Sequence, residues 1–170
     1  MLKVFIILLI ILIAGCTQNQ DINPSIFPEV LTVARVYDGD TFAISNGEMI
    51  RVLGIDYPDI DDYKMYKWTD MGLDETKVIN CYYEGITKME NLFLNEKVIL
   101  TKDPNEDDKD KYNRLLRYAS VNNKDIGEWL VSNGYAVMYD PTYPLCEKCK
   151  SYQDLTNQIR EKNQGCLWSS

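Results

Sequence analysis

The dipeptide Asn46-Gly47, which lies between two short apolar segments, is the feature that most restricts the fold of this chain. Asn-Gly is the strongest short-range signal for a two-residue β-hairpin turn, because both residues readily adopt the positive φ that the turn requires. Segments rich in β-branched residues predict strands over 41–45 and 49–55, and an earlier strand over 31–36. The sequence therefore predicts a three-stranded antiparallel meander.

Helical and strand signals alternate along the rest of the chain. Apolar residues recur at helical spacing in some segments, whereas 56–80 has no sustained periodicity and predicts a long loop. The other predicted elements are a helix over 83–95, strands over 97–101 and 115–121, a helix from the N-cap Asp125 through Ser132, and a helix over 150–162. Together they predict an α+β fold with a mainly β core, a five-stranded OB-type Greek-key barrel with about three helices.

The N-terminus has the pattern of an export signal. Lys3 precedes an apolar run over 4–14, which is too short to span a bilayer as a helix. The small residues before Cys16 resemble a bacterial lipobox, in which the cysteine carries lipid such as palmitate. An ordinary cleaved signal or a short uncleaved anchor is the alternative.

These features divide the chain into three parts. We predict a signal peptide over 1–15, a lipidated N-terminus and flexible tether over 16–28, and one compact domain over 29–170. In each version the domain faces outside the cytoplasmic membrane, held at the cell membrane if Cys16 is lipidated.

Histidine is absent from the chain. Its absence excludes Ser-His-Asp and Cys-His catalysis and argues against a catalytic zinc site. The net charge of −8 opposes the attraction of a polyanion. Aspartates are concentrated over 56–62 and 103–110, where bound cations would neutralise part of the charge locally.

Four cysteines follow Cys16: Cys81, Cys146, Cys149 and Cys166. An even number in an exported protein favours two disulfides, for which three pairings exist. Free thiols are one alternative, and a metal-binding or redox role for Cys146-Glu-Lys-Cys149 is another.

Carboxylates and one arginine are concentrated over 38–59. Asp40 and Asp56 lie at the ends of predicted strands, so the meander can bring both close to Arg51. Hard divalent cations need several oxygen ligands, and a guanidinium binds a phosphate through two parallel donors. The segment therefore predicts metal-assisted chemistry on phosphate, with Asp38 as either a supporting carboxylate or the first residue of a turn.

Five sequence blocks, in order, resemble the staphylococcal nuclease (thermonuclease) family over about 31–169. The blocks are Val36-Tyr-Asp-Gly-Asp-Thr41, Arg51-Val-Leu-Gly-Ile-Asp-Tyr-Pro58, Asp110-Lys-Tyr-Asn-Arg-Leu-Leu-Arg-Tyr118, Asn133-Gly-Tyr-Ala136 and Gly165-Cys-Leu-Trp-Ser169. The resemblance implies a calcium-dependent endonuclease that hydrolyses DNA and RNA with little sequence preference. It also implies that Ca²⁺ is bound by Asp40, Asp56 and the backbone carbonyl of Tyr57.

The same resemblance implies roles in catalysis and substrate binding. Arg51 and Arg114 would hold the scissile phosphate, and Asp59 would orient or deprotonate the attacking water. The substrate would be contacted by Lys111 and Tyr112, and by Tyr135 or Tyr139 in a base pocket. Core packing is the alternative for each tyrosine. A monomer is the default expectation.

Three residues depart from the family pattern. Asp59 stands where glutamate is usual, Tyr57 where threonine is usual, and Asn113 where glycine is common. A displacement of about 1 Å at a reacting centre can cost roughly 10²-fold in rate. The alternative functions are therefore a catalytically impaired OB-type lipoprotein that binds nucleic acid, and a structural or adhesion lipoprotein that retains only the fold.

Overall fold

A computed structural model describes residues 29–139 and 146–169. The elements are β1 (Glu29–Val36), β2 (Thr41–Ile44), β3 (Met49–Val52), β4 (Ile55–Asp56), α1 (Asp62–Asp70), α2 (Glu75–Phe93), β5 (Lys97–Thr101), β6 (Leu115–Val121), β7 (Lys124–Asp125), α3 (Ile126–Ser132), β8 (Val137–Met138), α4 (Cys149–Glu161) and α5 (Gly165–Trp168). The predicted signal peptide over 1–15 and the predicted tether over 16–28, with Cys16, lie outside the described residues. No helix in the described part is long and apolar enough to cross a membrane.

Five strands close into a barrel. β1 pairs antiparallel with β2 and β5, β2 with β3, and β5 with β6. β3 and β6 complete the circle in parallel, with Ile50 opposite Leu115. A bulge between Val33 and Arg35 lets the first half of β1 pair with β5 and the second half with β2. The predicted OB-type barrel with a mainly β core is confirmed.

The hairpin between β2 and β3 turns where the sequence predicts. Gly47 has a φ of 89°, and its N–H donates to the carbonyl of Ile44 at 2.8 Å. The Asn46 side chain accepts from the N–H of Glu48 at 3.0 Å. This tight turn places the end of β3, which carries Arg51, beside the start of β2.

The buried apolar residues form two clusters. The larger fills the barrel and extends under α3 and α4. The smaller, called here the second core, lies beneath α1 and contains Met65, Trp68, Val78, Cys81, Val137 and Leu167. The second core thus joins α1 to α2 and to the C-terminal part of the chain.

The predicted loop over 56–80 is wrong, because this segment contains α1 and the first turns of α2. Met65 and Trp68, three positions apart in α1, are buried in the second core. α2 begins at Glu75, where the Asp74 side chain caps it by accepting from the N–H of Lys77 at 3.0 Å. Burial of one face stabilises α1, a tertiary effect that local periodicity does not reveal.

The helix predicted over 83–95 corresponds to α2, but α2 begins at Glu75 and ends at Phe93, so its first turns were missed. The predictions of the next two helices agree closely with the structure. Asp125 caps α3 by accepting from the N–H of Glu128 at 2.8 Å, as predicted. The last long helix is α4, within one residue of its predicted bounds at each end.

All four described cysteines are in disulfides. Cys81 in α2 pairs with Cys166 in α5, and Cys146 pairs with Cys149 at the start of α4. The prediction of two disulfides is confirmed, and the free-thiol alternative is wrong.

Candidate active site

A cleft of about 850 Å³ lies between the barrel and α1. Its barrel wall carries Asp40, Arg51, Asp56, Asp110 and Arg114. Its helical wall carries Tyr63, Lys64, Tyr66 and Lys67, all on α1. The fold therefore gathers charged groups from β2–β4 and from the approach to β6 opposite a short helix.

Arg51 joins the two carboxylates that the sequence singled out. One guanidinium nitrogen is ion-paired with Asp40, and the other lies 3.3 Å from Asp56 and donates to the carbonyl of Ile55 at 2.9 Å. Asp56 is also ion-paired with Lys67 from the helical wall. Because both carboxylates contact one guanidinium, one at each terminal nitrogen, they lie close together in the cleft.

Arg114 is connected to this group through a hydroxyl. Its Nη1 donates to Oγ1 of Thr41 at 3.0 Å, and the same hydroxyl donates to Asp40 at 3.0 Å. Asp110 accepts from Nε of Arg114 at 2.7 Å and from its backbone N–H at 3.0 Å. A continuous chain of two hydrogen bonds and one ion pair therefore links the two arginines that the sequence predicted, and one of its steps joins residues 73 positions apart.

The surroundings in the barrel wall shift the pKa values of Asp40 and Asp110 in opposite directions. Burial raises the pKa of Asp40 to about 7, against the lowering effect of Arg51. Burial also tends to raise the pKa of Asp110, but hydrogen bonds from the backbone and side chain of Arg114 hold that pKa below its usual range. Perturbed carboxylates in a cleft are typical of functional sites.

The donor set of this cleft fits a hard cation. Asp40 and Asp56 supply carboxylate oxygens that converge at Arg51, and oxygen is the ligand atom that Ca²⁺ prefers. Within residues 29–139 and 146–169, no three acidic, cysteine or histidine side chains form a metal-binding group. A metal here would need a backbone carbonyl and water beside the two carboxylates.

Tyr57 replaces the usual threonine without disturbing Asp40. Its backbone N–H donates to Asp40 at 2.9 Å, and its buried hydroxyl donates to the carbonyl of Tyr82, with the carbonyl of Cys81 at 3.2 Å. A Cβ at Gly39 or at Gly85 would lie 2.2 Å from the Tyr57 side chain, so the larger ring fits because both neighbours are glycine.

Asp59 lies in the cleft, but both of its oxygens have partners. Oδ1 accepts from the N–H of Asp61 at 3.1 Å, and Oδ2 is ion-paired with Lys64 of α1. The hydrogen bond that Lys64 donates to Asp59 raises the pKa of Lys64, so the amine stays charged. Asp59 therefore fastens the chain at the start of α1 in addition to facing the cleft.

The backbone near Asp38 and Asn113 explains why these residues occupy their positions. The side chain of Asp38 accepts from the N–H of Asp40 at 2.9 Å, as the first residue of a turn does. Asn113 has a φ of 65°, the left-handed conformation that its place in the family pattern predicts.

The predicted substrate-binding residues separate into two groups. Lys111, Tyr112 and Tyr139 line the cleft. Tyr135 does not belong there: its ring is buried, stacks on Trp129 and donates its hydroxyl to Glu84 at 2.6 Å. The geometry favours core packing for Tyr135, because Trp129 and Glu84 hold its ring away from the cleft.

Sequence reasoning missed Thr41 and the whole helical wall. Thr41 was visible as the last residue of the Asp-Gly-Asp-Thr motif, but its link to Arg114 exists only in the fold. For α1, the sequence offered two weak signals. Met65 and Trp68 are apolar and one helical turn apart, and the segment has aspartates at its start and Lys67 near its end, as helices often do.

The fold and the cleft define a class: small OB-type barrel proteins with an arginine–carboxylate cleft on the barrel surface. Residues 49–170, more than half of the chain, match the family model described as staphylococcal nuclease homologue, and the chain belongs to that family. It is also 31% identical over 149 residues to "Uncharacterized protein MJ1439" of Methanocaldococcus jannaschii, covering 81% of this chain and 70% of that protein.

Proposed function

We propose that this protein is a calcium-dependent endonuclease that hydrolyses phosphodiester bonds of DNA or RNA with little sequence specificity. The observation that carries the proposal is that, in one cleft, Arg51 is ion-paired with Asp40 and Arg114 is linked to the same carboxylate through the hydroxyl of Thr41. Membership of a nuclease-type family supports the same reaction class.

The two arginines stabilise charge on the reacting phosphate. Each guanidinium is held by carboxylate or hydroxyl partners, so its remaining N–H groups need little reorganisation to donate to phosphate oxygens. Negative charge grows on these oxygens as water attacks phosphorus, and the bond to the leaving oxygen then breaks. Fixed donors therefore bind the transition state more strongly than the ground state.

Asp40, Asp56 and the backbone carbonyl of Tyr57 are the residues that would hold Ca²⁺. The ion would supply Lewis-acid polarisation of the phosphate and a position for water. Lys67, which pairs with Asp56 here, would then be free to turn toward the substrate, while the carbonyl of Ile55 would still hold Arg51.

Asp59 acts on the attacking water in this proposal. Its carboxylate accepts the proton that water loses as the new P–O bond forms. To do so, Oδ2 exchanges Lys64 for the water molecule.

The nuclease works as a monomer outside the cytoplasmic membrane, attached by a lipid on Cys16. Support for this location comes from the lysine, the apolar run and the lipobox-like residues before Cys16. Mass analysis of Cys16 in a membrane fraction tests the attachment.

The activity is tested by incubating the purified protein with single-stranded and duplex DNA and RNA, with Ca²⁺ or with chelator. We expect cutting only with Ca²⁺, and at least about 10²-fold slower cutting by Asp40→Asn. Asp108→Asn, a change at an exposed carboxylate outside the cleft, is the matched control. Equal cutting with chelator, or by Asp40→Asn, would refute the calcium mechanism.

A second candidate is a module that binds nucleic acid without cutting it. The observation that favours it is the engagement of both Asp59 oxygens by the start of α1. Binding of substrate without cleavage, in the presence of Ca²⁺, supports this candidate. If side-chain length limits the enzyme, Asp59→Glu raises the rate of cutting.

A further inference from the structure

One buried tyrosine links the cleft to helix α2. Tyr57 directly follows β4, and its backbone N–H donates to Oδ2 of Asp40 at 2.9 Å. Its hydroxyl donates to the carbonyl of Tyr82 in α2, with the carbonyl of Cys81 at 3.2 Å. The backbone of this residue therefore contacts a carboxylate of the barrel wall, while its side chain contacts the backbone of a helix.

The ring of Tyr57 fills a slot between two glycines. A Cβ at Gly39, the residue before Asp40, would lie 2.2 Å from ring carbons of Tyr57. A Cβ at Gly85 of α2 would lie 2.2 Å from its hydroxyl oxygen. A ring that is packed this closely cannot shift without its neighbours, so the position of the Tyr57 backbone depends on α2.

α2 is a firm support for this contact. It has 19 residues, its N-terminus is capped by Asp74, and its residues Met89 and Phe93 lie in the larger core. Cys81, whose carbonyl lies beside the tyrosine hydroxyl, is covalently bound to Cys166. A side chain that is hydrogen-bonded to such a helix holds its own backbone in place.

Asp40 is held from several directions in the barrel wall. Its Oδ2 is ion-paired with Arg51 and accepts from the N–H of Tyr57. Its Oδ1 accepts from the hydroxyl of Thr41 at 3.0 Å. Partners of this kind orient the ligands of a metal, and the loss of one typically lowers metal affinity about 10–100-fold. The N–H of Tyr57 is therefore one of the groups that fix the direction of this carboxylate.

We propose that Tyr57 is a positioning residue whose side chain, by fastening its backbone to α2, holds Asp40 and the Tyr57 carbonyl in the geometry that binds Ca²⁺. The proposal rests on the proposed nuclease function and adds a side chain that acts on the metal site only through its neighbours. Threonine, which is usual at this position in the family pattern, is too short to reach the carbonyls of α2. The link therefore depends on tyrosine.

The first test compares two deletions of a buried hydroxyl. Tyr57→Phe keeps the ring in its slot and removes its hydrogen bond to α2. Tyr152→Phe is the matched control, because Tyr152 is also buried, donates its hydroxyl to Asp125 at 3.0 Å and lies outside the cleft. Isothermal titration calorimetry should show about tenfold weaker Ca²⁺ binding by Tyr57→Phe and unchanged binding by Tyr152→Phe. Urea denaturation of both variants measures any general loss of stability.

A methyl group introduced on α2 tests the same link from the other side. Gly85→Ala places this group against the Tyr57 hydroxyl, so it should weaken Ca²⁺ binding as Tyr57→Phe does. In Gly85→Ala/Tyr57→Phe the hydroxyl is absent and the nearest ring carbons lie 3.0 Å away, so the affinity should equal that of Tyr57→Phe alone. Gly127→Ala is the control: its methyl group would meet the Tyr152 hydroxyl at 2.7 Å, outside the cleft, and Ca²⁺ affinity should not change.

A measurement without metal separates the positioning role from the proposed reaction. The amide of residue 57 donates to Asp40, so its hydrogen exchange reports how firmly this backbone is held. In chelator, exchange of this amide should be about twofold to tenfold faster in Tyr57→Phe than in the wild-type protein, as the loss of one hydrogen bond predicts. Tyr152→Phe should leave it unchanged.

Four results would overturn the role of Tyr57: wild-type Ca²⁺ affinity in Tyr57→Phe, equal weakening in the control variants, additive losses in Gly85→Ala/Tyr57→Phe, or unchanged exchange at residue 57. Cleavage by the wild-type protein is measured separately. If it cuts nucleic acid with Ca²⁺ while Tyr57→Phe binds Ca²⁺ normally, the proposed nuclease function stands and only the positioning role fails. A wild-type protein that binds no Ca²⁺ would overturn both.

Discussion

The two walls of the cleft are built differently. In the barrel wall the side chains of Arg51 and Asp40 are 12% and 8% exposed, and each has several partners. In the helical wall the side chain of Lys64 is 45% exposed and forms a simple surface ion pair with Asp59, which precedes α1 and is 39% exposed. Buried, multiply bonded charges hold their geometry, whereas exposed pairs contribute little to stability. The barrel wall is therefore suited to chemistry, and the helical wall to contact with a variable ligand.

The walls also depend on different cores. The barrel wall is formed by strands of the large core, whereas α1 lies on the second core of six buried side chains. The disulfide between Cys81 and Cys166 fastens that second core. A short helix can thus be kept in place beside a barrel because a covalent link supplements a small apolar cluster.

The largest effect on stability is expected from this disulfide. Cys81→Ser/Cys166→Ser should lower the free energy of unfolding by about 4–5 kcal/mol, since the bond closes a long loop, with a sequence separation of 85. Cys146→Ser/Cys149→Ser, with a separation of 3, should cost only about 2 kcal/mol. Urea denaturation measures the free energy of unfolding of both variants. Equal losses in the two variants would show that the second core does not depend on the disulfide between Cys81 and Cys166.

The next effect concerns the barrel wall. Arg114→Ala should slow phosphodiester cleavage by about 10²–10³-fold, as the loss of one positioned donor to a transition state does. Arg117→Ala is the matched control, because Arg117 pairs with Asp108 outside the cleft. Steady-state rates with a labelled oligonucleotide distinguish the two, and an equal loss would contradict the role of Arg114.

A smaller effect should depend on pH. The pKa of Asp110 is lowered in the folded protein, so its contribution to stability is complete above its ordinary value of 3.8 and is lost as the pH falls through the lowered value. Asp110→Asn should therefore cost about 1.5–3 kcal/mol at pH 7 and much less at strongly acidic pH. Urea denaturation across this range measures the difference. A cost that does not change with pH would mean that the charge of Asp110 is unimportant.

The smallest effect is expected in the helical wall. Lys64→Met removes the exposed ion pair with Asp59 and should change the free energy of unfolding by less than about 1 kcal/mol. A loss as large as that of Asp110→Asn, measured in the same denaturation experiment, would show that the two walls are equally rigid.

Much of the barrel could be predicted because its signals are local. The Asn46-Gly47 turn and the strands 97–101 and 115–121 follow from short-range residue preferences, and the structure has them at those positions. The helix α1 was missed, since Met65 and Trp68 give only a weak apolar signal among residues that are mainly polar and aromatic. It is stabilised by apolar partners that come from distant parts of the chain.

The sequence by itself determined the β meander, an even number of cysteines after Cys16, and the residue types of the barrel wall, because turn dipeptides, cysteine count and charged motifs can be read without the fold. Only the tertiary structure decided that Arg114 reaches Asp40 through Thr41, that Cys81 pairs with Cys166, and that Tyr135 belongs to the core. These are contacts between residues far apart in the chain. Closure of the barrel and burial in two separate cores create them, and neither process leaves a local signal in the sequence.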